Sequence, residues 1–79
     1  MSITIALSLD LKGLSCPLPI VKTAKAMKQL TPGDYIEVLA TDPGSVQDFQ
    51  AWAKTTGNPL VDIRHEGTVY RYVLKKKEA

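Results

Sequence analysis

Along the start of the chain, Ile3, Ile5, Leu7, Leu9 and Leu11 alternate with Thr4, Ala6, Ser8 and Asp10. A period of two sends successive side chains to opposite faces, so this run predicts a strand with one buried and one wetter face. Gly13 breaks it. From Pro19 to Leu30 the spacing becomes helical: Ile20, Ala24, Met27 and Leu30 share one side, and Lys22, Lys25, Lys28 and Gln29 take the other. The breaker cluster Thr31-Pro32-Gly33-Asp34 closes this helix, and the short β-branched run Tyr35-Ile36-Glu37-Val38-Leu39-Ala40 predicts a second strand.

A second helix follows. Asp42 and Ser45 are both candidate N-caps, the first followed by Pro43 and the second by Asp48 three residues on, as in a capping box. Val46, Phe49, Ala53 and Thr56 mark its inner face, with Trp52 beside it as core residue or interface anchor. Gly57-Asn58-Pro59 stops the helix. Two strand-like runs, Leu60 to Glu66 and Thr68 to Lys75, then flank a tight hairpin at Glu66-Gly67. The order is β-α-β-α-β-β. Right-handed crossovers put both helices on one face of the sheet unless the strand order reverses between them. The expected fold is therefore α+β, a two-layer α/β sandwich with a four-stranded mixed sheet and two helices on one face. Strand order is left open.

Composition narrows the chemistry. The chain has 79 residues, expected to form one domain over 1–79, with one cysteine and one histidine. A single cysteine excludes an internal disulfide and a dithiol redox pair, and with one histidine it leaves no structural zinc site and no metal ligand set. Neither a signal-peptide pattern at Met1-Ser2-Ile3-Thr4 nor an apolar run of membrane-spanning length is present, so the expected location is the cytoplasm, with no membrane partner. Ten Lys and Arg against eight Asp and Glu leave a net charge of +2, a weak basic bias that does not point to nucleic acid as a direct partner.

The informative segment is Leu11-Lys12-Gly13-Leu14-Ser15-Cys16-Pro17-Leu18-Pro19. Cys16 stands where a strand has ended and a helix begins. Pro17 and Pro19 fit the first helical turn, where no intrahelical N–H bond is lost, and their fixed φ stiffens the corner. The positive end of the helix dipole is expected to favour a thiolate or another anionic sulfur species. A Cys-His hydrolase requires a base near the thiol, and His65, in a predicted strand far along the chain, reads as a surface residue. A disulfide oxidoreductase requires a resolving cysteine. What remains is a sulfur that accepts a group and hands it on.

Gly13-Leu14-Ser15-Cys16-Pro17-Leu18-Pro19 resembles the Cys-Pro-x-Pro signature of the TusA/SirA family of small sulfur carriers. The resemblance extends through Asp10 and Gly13 before the cysteine, Leu30-Thr31-Pro32-Gly33, Ala40-Thr41-Asp42-Pro43-Gly44-Ser45 with Asp48, Trp52, Gly57-Asn58 and Tyr70-Arg71-Tyr72. It implies that Cys16 accepts a sulfane sulfur as a persulfide from a cysteine desulfurase or rhodanese-type donor and passes it to a downstream sulfur-relay protein. Such a carrier acts stoichiometrically, without a cofactor, as a monomer. It would serve tRNA thiolation, molybdenum cofactor synthesis or sulfur oxidation. Many members carry Glu between the two prolines, where this chain has Leu18, a change that removes a negative charge beside the sulfur.

On this reading Gly13, Pro17, Pro19 and Asp10 support the site, Asp10 either through backbone hydrogen bonds of the Asx type or by contacting a donor. Lys22, Lys25, Lys28 and Asp42 are candidates for docking partner proteins through weak, salt-sensitive contacts. The residues alone leave two alternatives: a non-catalytic regulatory or interaction module in which Cys16 is incidental, and an RNA-binding α/β module that uses the lysine-bearing helix.

Overall fold

The structure, a computed structural model, describes residues 4–78. Its elements are β1 (Ile5–Asp10), α1 (Leu18–Met27), β2 (Tyr35–Ala40), α2 (Ser45–Thr56), β3 (Leu60–Glu66) and β4 (Val69–Lys75), in the predicted order. Ile3, where the predicted first strand begins, lies outside the described residues.

The alternation in β1 holds: Ile5, Leu7 and Leu9 are half-buried and Ala6, Ser8 and Asp10 exposed. Leu11 leaves the strand but is buried, and its N–H donates to the Leu39 carbonyl at 2.8 Å. Helix α1 is shorter than its apolar pattern. Beyond Met27 the chain tightens, with the N–H groups of Gln29 and Leu30 donating to the carbonyls of Ala26 and Met27, the contracted bonding common at helix ends. Pro19, Thr23 and Met27 form its most buried row. Thr23 was not among the expected core residues, and its Oγ1 has no hydrogen-bond partner among the described residues.

The strand order is β1-β2-β4-β3, with β1 parallel to β2 and β4 antiparallel to both β2 and β3. The hairpin explains why β4 is central. It returns on β3 through the two residues Gly67 and Thr68 between the paired Glu66 and Val69, one position beyond the turn expected at Glu66-Gly67, and its other edge then pairs with β2. Central placement buries Tyr72, Val73 and Leu74.

Both helices cover one face. Ile36, Val38 and Ala40 of β2, Tyr72 and Leu74 of β4, Phe49 of α2 and Met27 of α1 form the core. Val46, Trp52 and Ala53 pack against it, so Trp52 serves the core. Phe49 stacks on Tyr72 at a centroid distance of 4.4 Å, an offset aromatic pairing that ties α2 to the middle of the sheet. The uncovered face carries a charge network instead: Ser8 donates to Glu37, Glu37 pairs with Arg71, and Asp62 lies at 3.1 Å from Arg64 and 3.9 Å from Arg71. This cross-strand arrangement of opposite charges suits a wet face.

Candidate functional site

Because β1 and β2 run parallel, the loops that follow them emerge at the same end of the sheet, the usual location of sites in sheets with crossover helices. Cys16 lies in the first of these loops and Asp42 in the second. The two loops are stitched together. The Gly13 N–H donates to Thr41 Oγ1 at 2.9 Å, and the Cys16 N–H donates to Asp42 Oδ2 at 2.9 Å.

Within the first loop, Asp10 Oδ1 accepts the Lys12 N–H at 3.2 Å, and its carboxylate also pairs with the Lys12 ammonium at 3.8 Å. This is the Asx bonding expected of Asp10. Gly13 has φ +85°, with no atom near the position a Cβ would occupy. Glycine is needed there for its backbone conformation and not for space. The Cys16–Pro17 peptide is cis. Pro17 takes the N-cap position of α1 and Pro19 the second helical position, where Pro19 is fully buried and anchors the helix start. The Leu18 N–H donates to the Ser15 carbonyl at 3.0 Å.

The second loop differs from expectation. The N-cap of α2 is Gly44, with no side-chain capping bond, so neither Asp42 nor Ser45 caps the helix and the Ser45/Asp48 capping box does not form. Asp42 instead divides its carboxylate, Oδ1 accepting the Gly44 N–H at 3.1 Å and Oδ2 the Cys16 N–H. Ser45 is buried, and its hydroxyl bonds the Tyr72 hydroxyl at 2.6 Å. Asp48, in the first turn of α2, accepts a hydrogen bond from the Cys16 thiol, with 2.6 Å between Oδ2 and Sγ. A tertiary partner has claimed each side chain that local chemistry would have used as a cap.

Electrostatics at the sulfur also depart from expectation. Cys16 is exposed, yet its thiol is pushed above the ordinary cysteine range. The hydrogen bond to Asp48 is the main cause; desolvation and the negative charges of Asp48 and Asp42 add to it. The α1 N-terminus does not outweigh them. Pro17 and Pro19 have no N–H to offer, and the Leu18 N–H is already engaged with Ser15. A helix start with these N–H groups missing or engaged gives an anion less hydrogen bonding. The resting site therefore favours the neutral thiol over the expected thiolate.

Lys22, Lys25 and Lys28 are all exposed, and none is ion-paired among the described residues. The structure divides them. Lys22 and Lys25 rim a groove of about 410 Å³ floored by Leu7, Leu9 and Leu11, whereas Lys28 faces a different cleft with Trp52 and Thr56. Leu18 and Val21, two large apolar residues at the start of α1, are exposed. His65 stacks on Tyr70 at 4.2 Å; the partner of the thiol is Asp48. Asp48 was legible in the sequence only as a capping residue, since nothing local shows that α2 starts against the cysteine loop.

The described residues include no helix long and apolar enough to cross a membrane. The fold is similar to that of a crystallised SirA-like protein from Desulfitobacterium hafniense, with a TM-score of 0.79 at 24% identity, covering 91% of this chain and 99% of that one. A sulfur carrier protein TusA from Allochromatium vinosum is 47% identical over 86% of this chain and 90% of its own length. A putative sulfur carrier protein, YrkF of Bacillus subtilis, is 52% identical over 86% of this chain, which spans only 37% of that longer protein. The family model described as "Sulfurtransferase TusA" matches residues 7–76. With nearly its whole length matched, the chain belongs to the TusA sulfurtransferase family.

Proposed function

We propose that this protein is a sulfur carrier in which Cys16 is the covalent residue. The observation that carries this reading is one exposed cysteine, the only one in the chain, on a corner held by Asp42, Thr41 and the buried Pro19. In loading, the Cys16 sulfur attacks the outer sulfur of a donor persulfide. The donor S–S bond breaks, its inner sulfur leaves as a thiolate, and the Cys16 thiol proton is released. In unloading, an acceptor thiol attacks the outer sulfur of Cys16–S–SH and Cys16 is restored. One sulfur atom moves in each step, with no net oxidation.

The donor is of the cysteine desulfurase or rhodanese type and the acceptor is a further relay protein, both met in the cytoplasm by a monomer that binds no nucleic acid itself. Exposed Leu18 and Val21, with exposed Lys22, Lys25 and Lys28, which have no ion-pair partner among the described residues, support transient protein contacts along α1. Asp42, with both carboxylate oxygens engaged inside the loops, holds Cys16 in place and leaves the docking charge to the lysines.

The test is intact mass after incubation with a cysteine desulfurase plus cysteine, or a rhodanese plus thiosulfate. The wild type is expected to gain one sulfur, reversibly by dithiothreitol, and Cys16→Ser none. No reversible gain with either donor system overturns the reading.

A further inference from the structure

We propose that Asp48 is a positioning residue that distinguishes the empty carrier from the loaded one, holding the thiol in and turning the persulfide out. The inference rests on the sulfur-carrier reading and adds a residue to it. Asp48 Oδ2 accepts the Cys16 thiol proton at 2.6 Å across 32 residues of chain. Its own backbone is fixed, because its N–H donates to the Gly44 carbonyl and the next residue, Phe49, is fully buried against Tyr72. The backbone from which this carboxylate reaches the sulfur is thus held in place by the packing of α2.

The charges facing the sulfur are all of one sign. Asp48 and Asp42 act on it from the β2–α2 side. On its own side, Lys12 is paired with Asp10, and Pro17 and Pro19 carry no N–H. A neutral thiol suits this setting, since it donates one hydrogen bond to a carboxylate. A persulfide is a stronger acid than a thiol, so at neutral pH the loaded sulfur is an anion with no proton to donate. The hydrogen bond that held the thiol is then gone, and two carboxylates repel what replaced it. The outer sulfur turns to solvent, where an acceptor reaches it.

Loading proceeds in the same terms. As the Cys16 sulfur bonds to the outer sulfur of the donor, its proton is released to water and the donor's inner sulfur leaves as thiolate. The empty thiol is thereby shielded from adventitious alkylation and oxidation, which require the thiolate.

The pH dependence of iodoacetamide alkylation of the empty protein tests the first half without any sulfur chemistry. The wild-type midpoint is expected above that of free cysteine, about 8.5. Asp48→Asn should lower it, raising the rate at pH 7 about tenfold for each pH unit of displacement, and Asp48→Glu should restore the high midpoint. A wild-type midpoint at or below that of free cysteine overturns the proposal, and this arm holds even if the Asn variant does not fold. So does an Asn midpoint equal to the wild type. For the second half, the loaded Asp48→Asn variant should release its sulfur to dithiothreitol several-fold more slowly than the loaded wild type; equal rates overturn it. Failure of the carrier reading would appear instead as no mass gain, leaving the alkylation profile intact.

Discussion

The backbone N–H of Cys16 donates to Asp42 Oδ2 at 2.9 Å, joining residues 26 apart in the chain. A carboxylate accepting backbone amides forms a charge-assisted bond, stronger than a neutral one. Asp42→Ala therefore loses two bonds, to Cys16 and to Gly44, and should destabilise the protein by about 1–2 kcal/mol, discounted for partial exposure. Amide exchange checks the local claim. The Cys16 N–H should exchange much faster in the variant while β4 amides follow only the global change.

The Ser45–Tyr72 hydroxyl pair lies in the core under the α2 start. Tyr72→Phe keeps the stack on Phe49 but leaves the Ser45 hydroxyl buried without its partner, at a cost of about 1–2 kcal/mol. Adding Ser45→Ala removes the orphaned group, so the double variant should recover part of the loss. Urea unfolding of the two single variants and the double gives the coupling directly. Strict additivity would show that the pair contributes no bond.

On the open face, the hydrogen bond from Ser8 and the Arg71 guanidinium hold the Glu37 carboxyl below its usual range, against a weaker opposing effect of burial. The folded pKa is lowered, so the stabilisation is present above the unfolded glutamate value of about 4.3 and is lost as pH falls through it toward the folded value. Glu37→Gln should cost about 1 kcal/mol at pH 7. The difference from wild type should shrink below about pH 4.5. Urea midpoints from pH 3 to 7 test this. A difference independent of pH would rule out the ionic origin.

Reversing the charge of Lys22, Lys25 and Lys28 together should leave thermal stability nearly unchanged, within about 0.5 kcal/mol per site, because all three are solvent-exposed and unpaired among the described residues. Sulfur loading from a protein donor should slow and lose its sensitivity to salt. Loading from a small inorganic polysulfide should not change. Equal slowing with both donors would place the lysines in the chemistry and not in docking.

The sequence by itself determined the order of elements, the two-layer class and the location of Cys16. Those are set by features a few residues apart: the period-two run ending at Asp10, the breakers at Gly13 and Pro32-Gly33, the prolines flanking Leu18, and Gly57 stopping α2 with φ +80°. It also marked Asp10 as an Asx residue and Gly13 as a break before Cys16, since an Asx bond and the end of a strand are local properties. Only the tertiary structure decided the strand order, and with it everything that crosses between loops. Once β1 and β2 pair in parallel, their two loops share one end of the sheet, and Asp42 and Asp48 give up capping α2 to hold the amide and the thiol of Cys16. A local reading sees a thiol at the positive end of a helix and expects a thiolate. The fold adds two carboxylates from the α2 side, and the nearer one, 2.6 Å from the sulfur, raises the thiol at a helix start where Pro17 and Pro19 lack N–H groups and the Leu18 N–H is engaged with Ser15.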